Sequence, residues 1–312
     1  MPDLSVVIVN WNAKKYIDQC LRSILDSDCV EDMQIVVVDN GSTDGSVELI
    51  SNKYKQITLI CTNENLGFAR GNNVGIRQCH GDYLLLINSD VEVRPDTIST
   101  IIDYMEKHDE VGMVGPRIVG VDGRVQRSWM GFPSLWNMFC RAVLLDTVFP
   151  QVKLFNGFMR TYLQHDAITE VDIINGCFWA VRRKALDQVG FLDDGFFMYA
   201  EDMDWCKRFH AAGWKVVYFP RAEALHYGGA SSANAPVRFY VEMQKANHKY
   251  WCKHYGIISR AVFTCIVILH QFVRIISNFI RYLVVPRMRD MSRYKTNRSI
   301  ATLRSLLGRH SA

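Results

Sequence analysis

No C-x-x-C pair occurs among the nine cysteines, which are odd in number and scattered from Cys20 to Cys265. Zinc-site spacing is therefore absent and no disulfide framework is indicated, so a reducing compartment is expected. A secretory signal is also missing: Met1 to Leu4 leads straight into the short apolar run Val6 to Val9, without a basic start or enough length. With no export expected, Asn40-Gly41-Ser42 is a glycosylation acceptor on paper only. Nor does G-x-G-x-x-G occur, which removes the dinucleotide-binding fingerprint. The acid-rich loop from Asp39 has Ile50 at its twelfth position, where an EF-hand needs a bidentate Glu, so calcium is rejected. Acid is scarce at one end as well: from Arg260 onward there are ten of the 36 Lys and Arg but one of the 32 Asp and Glu.

What is there is ordinary globular composition, 49% hydrophobic and 22% charged over 312 residues. That length suits one large α/β domain with an appendage. The net charge of +4 conceals a slightly acidic body and a basic tail. Such a tail seeks an anionic surface, with membrane and nucleic acid as the candidates.

The chain is organised around Tyr83-Leu84-Leu85-Leu86-Ile87, an unbroken apolar run too short for a helix. It reads as a strand buried on both faces of a parallel sheet, and it ends on Asn88-Ser89-Asp90. Ligands sit off the carboxyl ends of such strands, so these polar residues stand where chemistry is expected. Leu4 to Val9, Ile35 to Val38 and Ile57 to Cys61 read as further strands, with Lys15 to Leu25 a helix between the first two. A second helix follows the Asp39 to Gly45 loop, with Ser42 or Thr43 as its expected cap. This β-α-β-α-β order predicts a mostly parallel, Rossmann-like sheet flanked by helices. In the loop from Asn63 to Gly75, glycines before a helix leave N–H groups open to an anion, with Arg70 adding positive charge; a tight turn with close helix packing is the alternative.

Further along, Pro95 to about His108 reads as a helix and Val111 to Pro116 as a strand. Residues 120 to 165 are aromatic-rich without a period, which fits a loop that folds over substrate or a patch of core and dimer surface. Val171 to Val181, through Asn175-Gly176-Cys177, and Trp214 to Pro220 are strands, with a short helix from Arg183 to Val189. Asp204 and Glu223 read as a solvated face. Glu201 and Asp202 directly follow Phe196-Phe197-Met198-Tyr199, and that apolar setting would raise a carboxylate toward a general base. A lone histidine after a strand, such as His226, is on residue type alone more often structural than a ligand.

Taken in order, Val7-Ile8-Val9-Asn10-Trp11-Asn12, Val37-Val38-Asp39-Asn40-Gly41-Ser42-Thr43-Asp44, Asn65-Leu66-Gly67-Phe68, Asn88-Ser89-Asp90, Asn175-Gly176-Cys177, Glu201-Asp202-Met203-Asp204 and His226 resemble the motifs of the inverting family 2 glycosyltransferases, rhamnosyltransferase-like branch. The resemblance implies a GT-A fold, a nucleotide-sugar donor and Mg²⁺ or Mn²⁺. It implies that Asp39 bonds the nucleotide base and that the loop with Asn65, Gly67, Arg70 and Asn73 lies near the nucleotide-sugar, on the same side as Asn10, Asn12, Asn88, Ser89 and Gly176. Asp90, the surviving acid of the D-x-D motif, would bind the cation with His226. Asn88 stands where the family has its first Asp. Asp202 would be the base, with Glu201 beside it.

The expected domains are a catalytic domain over 1–232, a helical extension over 233–260, and a tail over 261–312. Ala261 to Val285 is long enough to span a bilayer, but His270, Arg274, Asn278 and Arg281 form a polar stripe at helical spacing. That pattern suits a helix lying in the membrane interface at the cytoplasmic face; a packing helix in a homo-oligomer is the alternative. Arg287 to Arg309 adds basic residues suited to anionic headgroups rather than to nucleic acid. The expected reaction moves a sugar, rhamnose from dTDP-rhamnose being favoured over a UDP-hexose or UDP-N-acetylhexosamine, to a lipid-linked or polysaccharide acceptor. A nucleotidyltransferase and a non-catalytic membrane-bound scaffold are the rivals.

Overall fold

The computed structural model describes residues 4–29, 33–228 and 236–307. In chain order the elements are β1 (Leu4–Asn10), α1 (Lys14–Leu25), β2 (Met33–Asp39), α2 (Ser46–Lys53), β3 (Thr58–Cys61), α3 (Phe68–Ile76), β4 (Tyr83–Asn88), β5 (Val91–Val93), α4 (Thr97–Glu106), β6 (Val111–Val119), β7 (Val125–Gln126) and β8 (Trp129–Met130). There follow α5 (Leu135–Ala142), α6 (Leu145–Val148), β9 (Thr169–Glu170), β10 (Ile173–Ile174), β11 (Phe178–Arg182), α7 (Arg183–Val189), α8 (Glu201–Ala211), β12 (Lys215–His226), α9 (Pro236–His254), α10 (Ile257–Val284) and α11 (Arg289–Leu307).

Two compact units result, one of Met1–Met130 with Gln164–Ala233, the other of Gly131–Leu163 with Asn234–Ala312. The boundary expected at residue 232 and the last basic residue, Arg309, lie outside the described residues.

The first unit is an α/β domain of GT-A type. Its main sheet runs β3-β2-β1-β4-β11-β6-β12-β5. β1 pairs in parallel with β2 and β4, and β2 with β3, which are the crossovers the sequence pattern called for. β11 runs antiparallel to β4 and β6, so the sheet is mixed beyond β4. β4 sits centrally and all five of its apolar residues are buried, each such side chain contributing about 1.5–3 kcal/mol relative to exposure. Small residues let α3 lie close on the sheet: a methyl group added to Gly71 or Gly75 would press on Val9 or Val7.

Two local expectations fail here. The cap of α2 is Gly45 in the left-handed region, not Ser42 or Thr43; Ser42 turns back to Asp39, and Asp44 accepts from the Ser46 and Lys14 N–H groups instead. Asp204 is fully buried rather than on a solvated face, and Arg208 one turn on reaches it at 2.9 Å and offsets the cost of burying the charge. Glu223 is likewise engaged, by Arg94 and by Arg117 at 3.7 Å.

The second unit is helical. The aromatic-rich stretch forms α5 and α6, which group with the C-terminal helices. α5 begins with a capping box between Ser134 and Asn137. α10 packs on α5, α9 and α11, and the Trp251 and Phe263 rings stack at 4.6 Å.

Candidate functional site

The parallel strands bring their polar ends into line. Register sets Asn10 opposite Asp39 and Val9 opposite Asn88, so β1, β2 and β4 present Asn10, Asp39 and Asn88 along one sheet edge. Asp39 is 2% exposed, and its two oxygens accept from Asn10 Nδ2 and from the Ser42 N–H, both at 2.8 Å. Asn10 Oδ1 is buried without a partner. Asn12, in the left-handed region at φ 50°, accepts from the Thr43 N–H at 2.8 Å and so ties the first strand's exit to the second's.

Three N–H groups of the Asn65 to Asn73 loop are taken up within the protein. Those of Leu66, Gly67 and Phe68 donate to Asn40 Oδ1, Asn65 Oδ1 and the Phe197 carbonyl, at 3.0, 2.9 and 2.7 Å. Asn73 bonds the Leu192 backbone and Asp194. Gly67 needs its φ of +83°, and a methyl group there would strike the Phe197 carbonyl. The loop packs closely, as the turn reading expected: it clamps α3 to the segment before α8. Arg70 is exposed on the first turn of α3, with no ion pair among the described residues.

Asp90 follows β4 directly and is 8% exposed. Strand β12 pairs with β5 so that His226 lies opposite Val91, and Tyr227 N–H donates to the Asp90 carbonyl at 3.0 Å. This sets His226 Nε2 3.4 Å from Asp90 Oδ1. The other ring nitrogen is spoken for. Gln126 donates its amide to the His226 carbonyl at 2.9 Å, which leaves Gln126 Oε1 facing His226 Nδ1, also at 2.9 Å. Nδ1 then carries a proton, and Nε2 is the ring nitrogen left to bind a cation beside Asp90. One carboxylate oxygen and one imidazole nitrogen converge, a donor set that would fit a divalent cation. Among the described residues no group of three His, Cys, Asp or Glu could hold a metal by itself.

Helix α8 delivers the second pair of acids. Tyr199 and Ala200 hold φ of 71° and 63°, a strained turn of the kind kept where function needs it, and Glu201 and Asp202 open the helix. Glu201 is 6% exposed and its Oε2 has no partner. Burial, then the neighbouring Asp202, holds Glu201 well above the usual carboxylate range. Burial pushes Asp202 up to about 6, opposed by the Met203 N–H, which donates to Oδ1 at 2.8 Å. Behind the helix, Trp205 packs edge-on against Trp179 at 5.2 Å and fixes its rotation. Gly176, in the turn before β11, lets Trp179 and Phe68 close in. The next residue, Cys177, is raised to about 12, by burial first and then by both Asp90 and Asp202. One thiol thus lies within electrostatic reach of the candidate metal ligand and of the candidate base.

Residues 5–190 match the family model described as Glycosyl transferase family 2. The chain is a family 2 glycosyltransferase. A relative 30% identical over 256 residues is the N-acetylglucosaminyl-diphospho-decaprenol L-rhamnosyltransferase of Mycobacterium tuberculosis (strain CDC 1551 / Oshkosh), with 78% of this chain and 82% of that protein covered. Rhamnosyltransferase WbbL of Escherichia coli (strain K12) is 28% identical over 243 residues, covering 71% and 82% respectively. Among solved structures, the mannosyltransferase PcManGT of Pyrobaculum calidifontis, in complex with GDP-Man and Mn²⁺, superposes with a TM-score of 0.54 at 15% identity, over 99% of this chain and 77% of that one. At that identity the likeness carries the fold alone. This glycosyltransferase belongs with the rhamnosyltransferase-like branch.

Sequence reasoning missed two residues that shape the site. Gln126, which orients His226, falls in the stretch without a period and gave no signal. Asn40, which bonds Leu66, Gly67 and Asn65 at once, stood in a quoted motif but had no role assigned.

Proposed function

We propose that the chain transfers rhamnose from dTDP-rhamnose to a hydroxyl of a lipid-linked acceptor in cell-surface glycan synthesis, with inversion at the anomeric carbon. The observation that carries this reading is the pairing of Asp90 with His226 at 3.4 Å, together with a raised Asp202 at the start of α8. The two rhamnosyltransferase relatives support the donor, and the Mycobacterium tuberculosis relative's name supports a diphospholipid acceptor.

In this account Asp39, Asn10 and Asn12 bind the nucleoside, and Asn88 and Ser89 line the path to the diphosphate. The loop of Asn65, Gly67 and Asn73 holds the wall that joins α3 to α8, with Gly176 admitting the aromatic packing behind it. Asp90 and His226 hold Mg²⁺ or Mn²⁺, which when bound neutralises charge on the departing diphosphate. Asp202, ionised at neutral pH yet more basic than a free carboxylate, takes the proton of the acceptor hydroxyl. The hydroxyl oxygen then bonds the anomeric carbon from the face opposite the nucleotide, and the bond to the diphosphate breaks. Burial and the neighbouring Asp202 hold Glu201 well above the usual carboxylate range, which favours its protonated form beside an ionised Asp202. Arg70, exposed on the first turn of α3, supplies positive charge near the leaving group.

In this account residues 1–232 carry catalysis, 233–260 are a helical extension and 261–312 attach to the membrane at the cytoplasmic face. α10 is long and apolar enough to cross a membrane, by length and composition. Its exposed residues Phe272, Ile276, Phe279 and Leu283 recur at helical spacing, which supports lying in the interface. A panel of nucleotide-sugars read by thermal shift with Mn²⁺ tests the donor: dTDP-rhamnose should stabilise most, and a larger shift with a UDP-sugar would replace it.

A further inference from the structure

The helical unit contains a concentration of positive charge that catalysis does not use. Arg274 on α10, Arg298 and Lys295 on α11 and Arg141 on α5 are half-buried together. Arg298 lies 4.2 Å over the ring of Tyr240 on α9, and the Tyr240 hydroxyl reaches Gln271 Oε1 at 3.4 Å. Arg274 Nε donates to His270 Nε2 at 2.7 Å. A ring nitrogen that accepts from a guanidinium belongs to a neutral imidazole, so His270 adds no charge of its own. Burial and the surrounding Arg274, Arg141 and Arg298 push His270 down to about 3 and agree with that state. Burial lowers Arg274 and Lys295 most, and the neighbouring cations add to it: Arg298 and Arg141 at Arg274, and Arg281, Arg298 and Arg274 at Lys295.

Among the described residues, one carboxylate forms an ion pair in this cluster. Asp146 pairs with Arg141 at 3.5 Å, and among the described residues no carboxylate lies within ion-pair distance of Arg274, Lys295 or Arg298. A helix interface without a function would be apolar, yet here α10 and α11 bury Gln271, Asn278, Ser292, Ser299 and Thr302. Several buried hydrogen-bonding groups have no partner: Arg298 Nε, Gln271 Nε2, Ser292 Oγ and Ser299 Oγ. Leaving such groups unmet is costly, as is gathering like charges, unless something with several acceptor oxygens joins them. A phosphate ester is that chemistry, and guanidinium forks suit it. On α10 the polar cluster has an exposed apolar face beside it, the pairing that a phosphate carried on a hydrocarbon chain requires.

We propose that Arg141, Arg274, Lys295 and Arg298, with Tyr240 and Gln271, form a binding site for the phosphate of a lipid. Two sources share that chemistry, the headgroup of an anionic phospholipid and the diphosphate of a lipid-linked acceptor. The acceptor arm rests on the lipid-linked reading of the function; the site itself does not.

The test uses the full chain with chelator present, so that nucleotide-site metal plays no part. Binding is measured to a prenyl diphosphate in detergent micelles, and to phosphatidylcholine vesicles with and without phosphatidate. Lys295→Gln and Arg298→Gln should each weaken one of the two by about fivefold or more, the change expected for one cation near an anionic group. dTDP binding measured with Mn²⁺ should stay unchanged. Loss for the micelle probe alone names the acceptor; loss for the phosphatidate vesicles alone names the headgroup. Lys295 makes no hydrogen bond whose loss would unfold α11, so its variant decides the matter if Arg298→Gln fails to fold. Wild-type affinity for both probes in folded Lys295→Gln overturns the proposal. Because binding is read without turnover, the result stands whether or not the chain transfers a sugar.

Discussion

Replacing Asp202 by Asn keeps the shape of the side chain and removes the base. Oδ1 already accepts the Met203 N–H at 2.8 Å, so the start of α8 should hold. Loss of a general base lowers kcat by about 10²- to 10⁴-fold, equivalent to about 3–5 kcal/mol. The dissociation constant for the donor should not change. The pH profile gives a second magnitude. With Asp202 raised to about 6, it is about nine-tenths ionised at pH 7 and about one-tenth at pH 5, so wild-type kcat should fall about tenfold between them. The residual rate of Asp202→Asn should lack that limb. The assay is single-turnover transfer from pH 5 to 8, with donor affinity from calorimetry on the same samples. A variant that loses donor affinity while retaining kcat would refute the role. So would a limb that persists in Asp202→Asn and vanishes in Glu201→Gln, which would make Glu201 the base.

Other outcomes follow from the same geometry. Glu201 is raised by burial, so its ionisation destabilises the fold as pH rises; the Tm advantage of Glu201→Gln over wild type should grow from pH 5 to 8, and a constant difference would contradict this. Asp90→Ala and His226→Ala should lose activity together with its dependence on added Mg²⁺ or Mn²⁺; full wild-type activity in chelator would remove the metal from the account. Gln126→Ala should raise the metal concentration needed for half activity by about 10- to 100-fold and keep kcat at saturation, an outcome that equal kcat loss at all metal concentrations would exclude. Gly67→Ala forces a side chain into the left-handed region and onto Phe197, at a cost of about 1–3 kcal/mol read as a lowered Tm; an unchanged Tm would mean the clamp is slack. Phe272→Ser with Phe279→Ser should abolish flotation with anionic liposomes and leave nucleotide binding intact, and continued flotation would move the attachment elsewhere. Substitution is preferred to deleting 261–312, because Phe263 and Gln271 are core residues of the helical unit.

How far the sequence alone reached depended on the range of the interactions. The apolar run of β4, the crossovers and the polar strand ends are local patterns and were legible. The glycine and asparagine loop was left open between anion cradle and packing turn, because the groups that take up its N–H donors, Asn40 and Phe197, lie far along the chain. Asp204 read as solvated because its burial comes from tertiary packing, although Arg208 four residues on was a visible clue. Gln126 had no signal, since orienting a histidine needs only one amide at the right point in space. The stretch from 131 to 163 showed no period because it supplies short helices to a second unit rather than strands to the sheet.

The most direct test of the central claim is transfer itself. Purified full-length protein with Mn²⁺, dTDP-rhamnose and a prenyl diphosphate-linked N-acetylglucosamine is followed by mass spectrometry of the lipid and by release of nucleotide. The account predicts one added deoxyhexose per acceptor with one dTDP released, both slowed by about 10²-fold or more in Asp202→Asn. Release of pyrophosphate, or no modified lipid with any donor of the panel despite nucleotide binding, would contradict it.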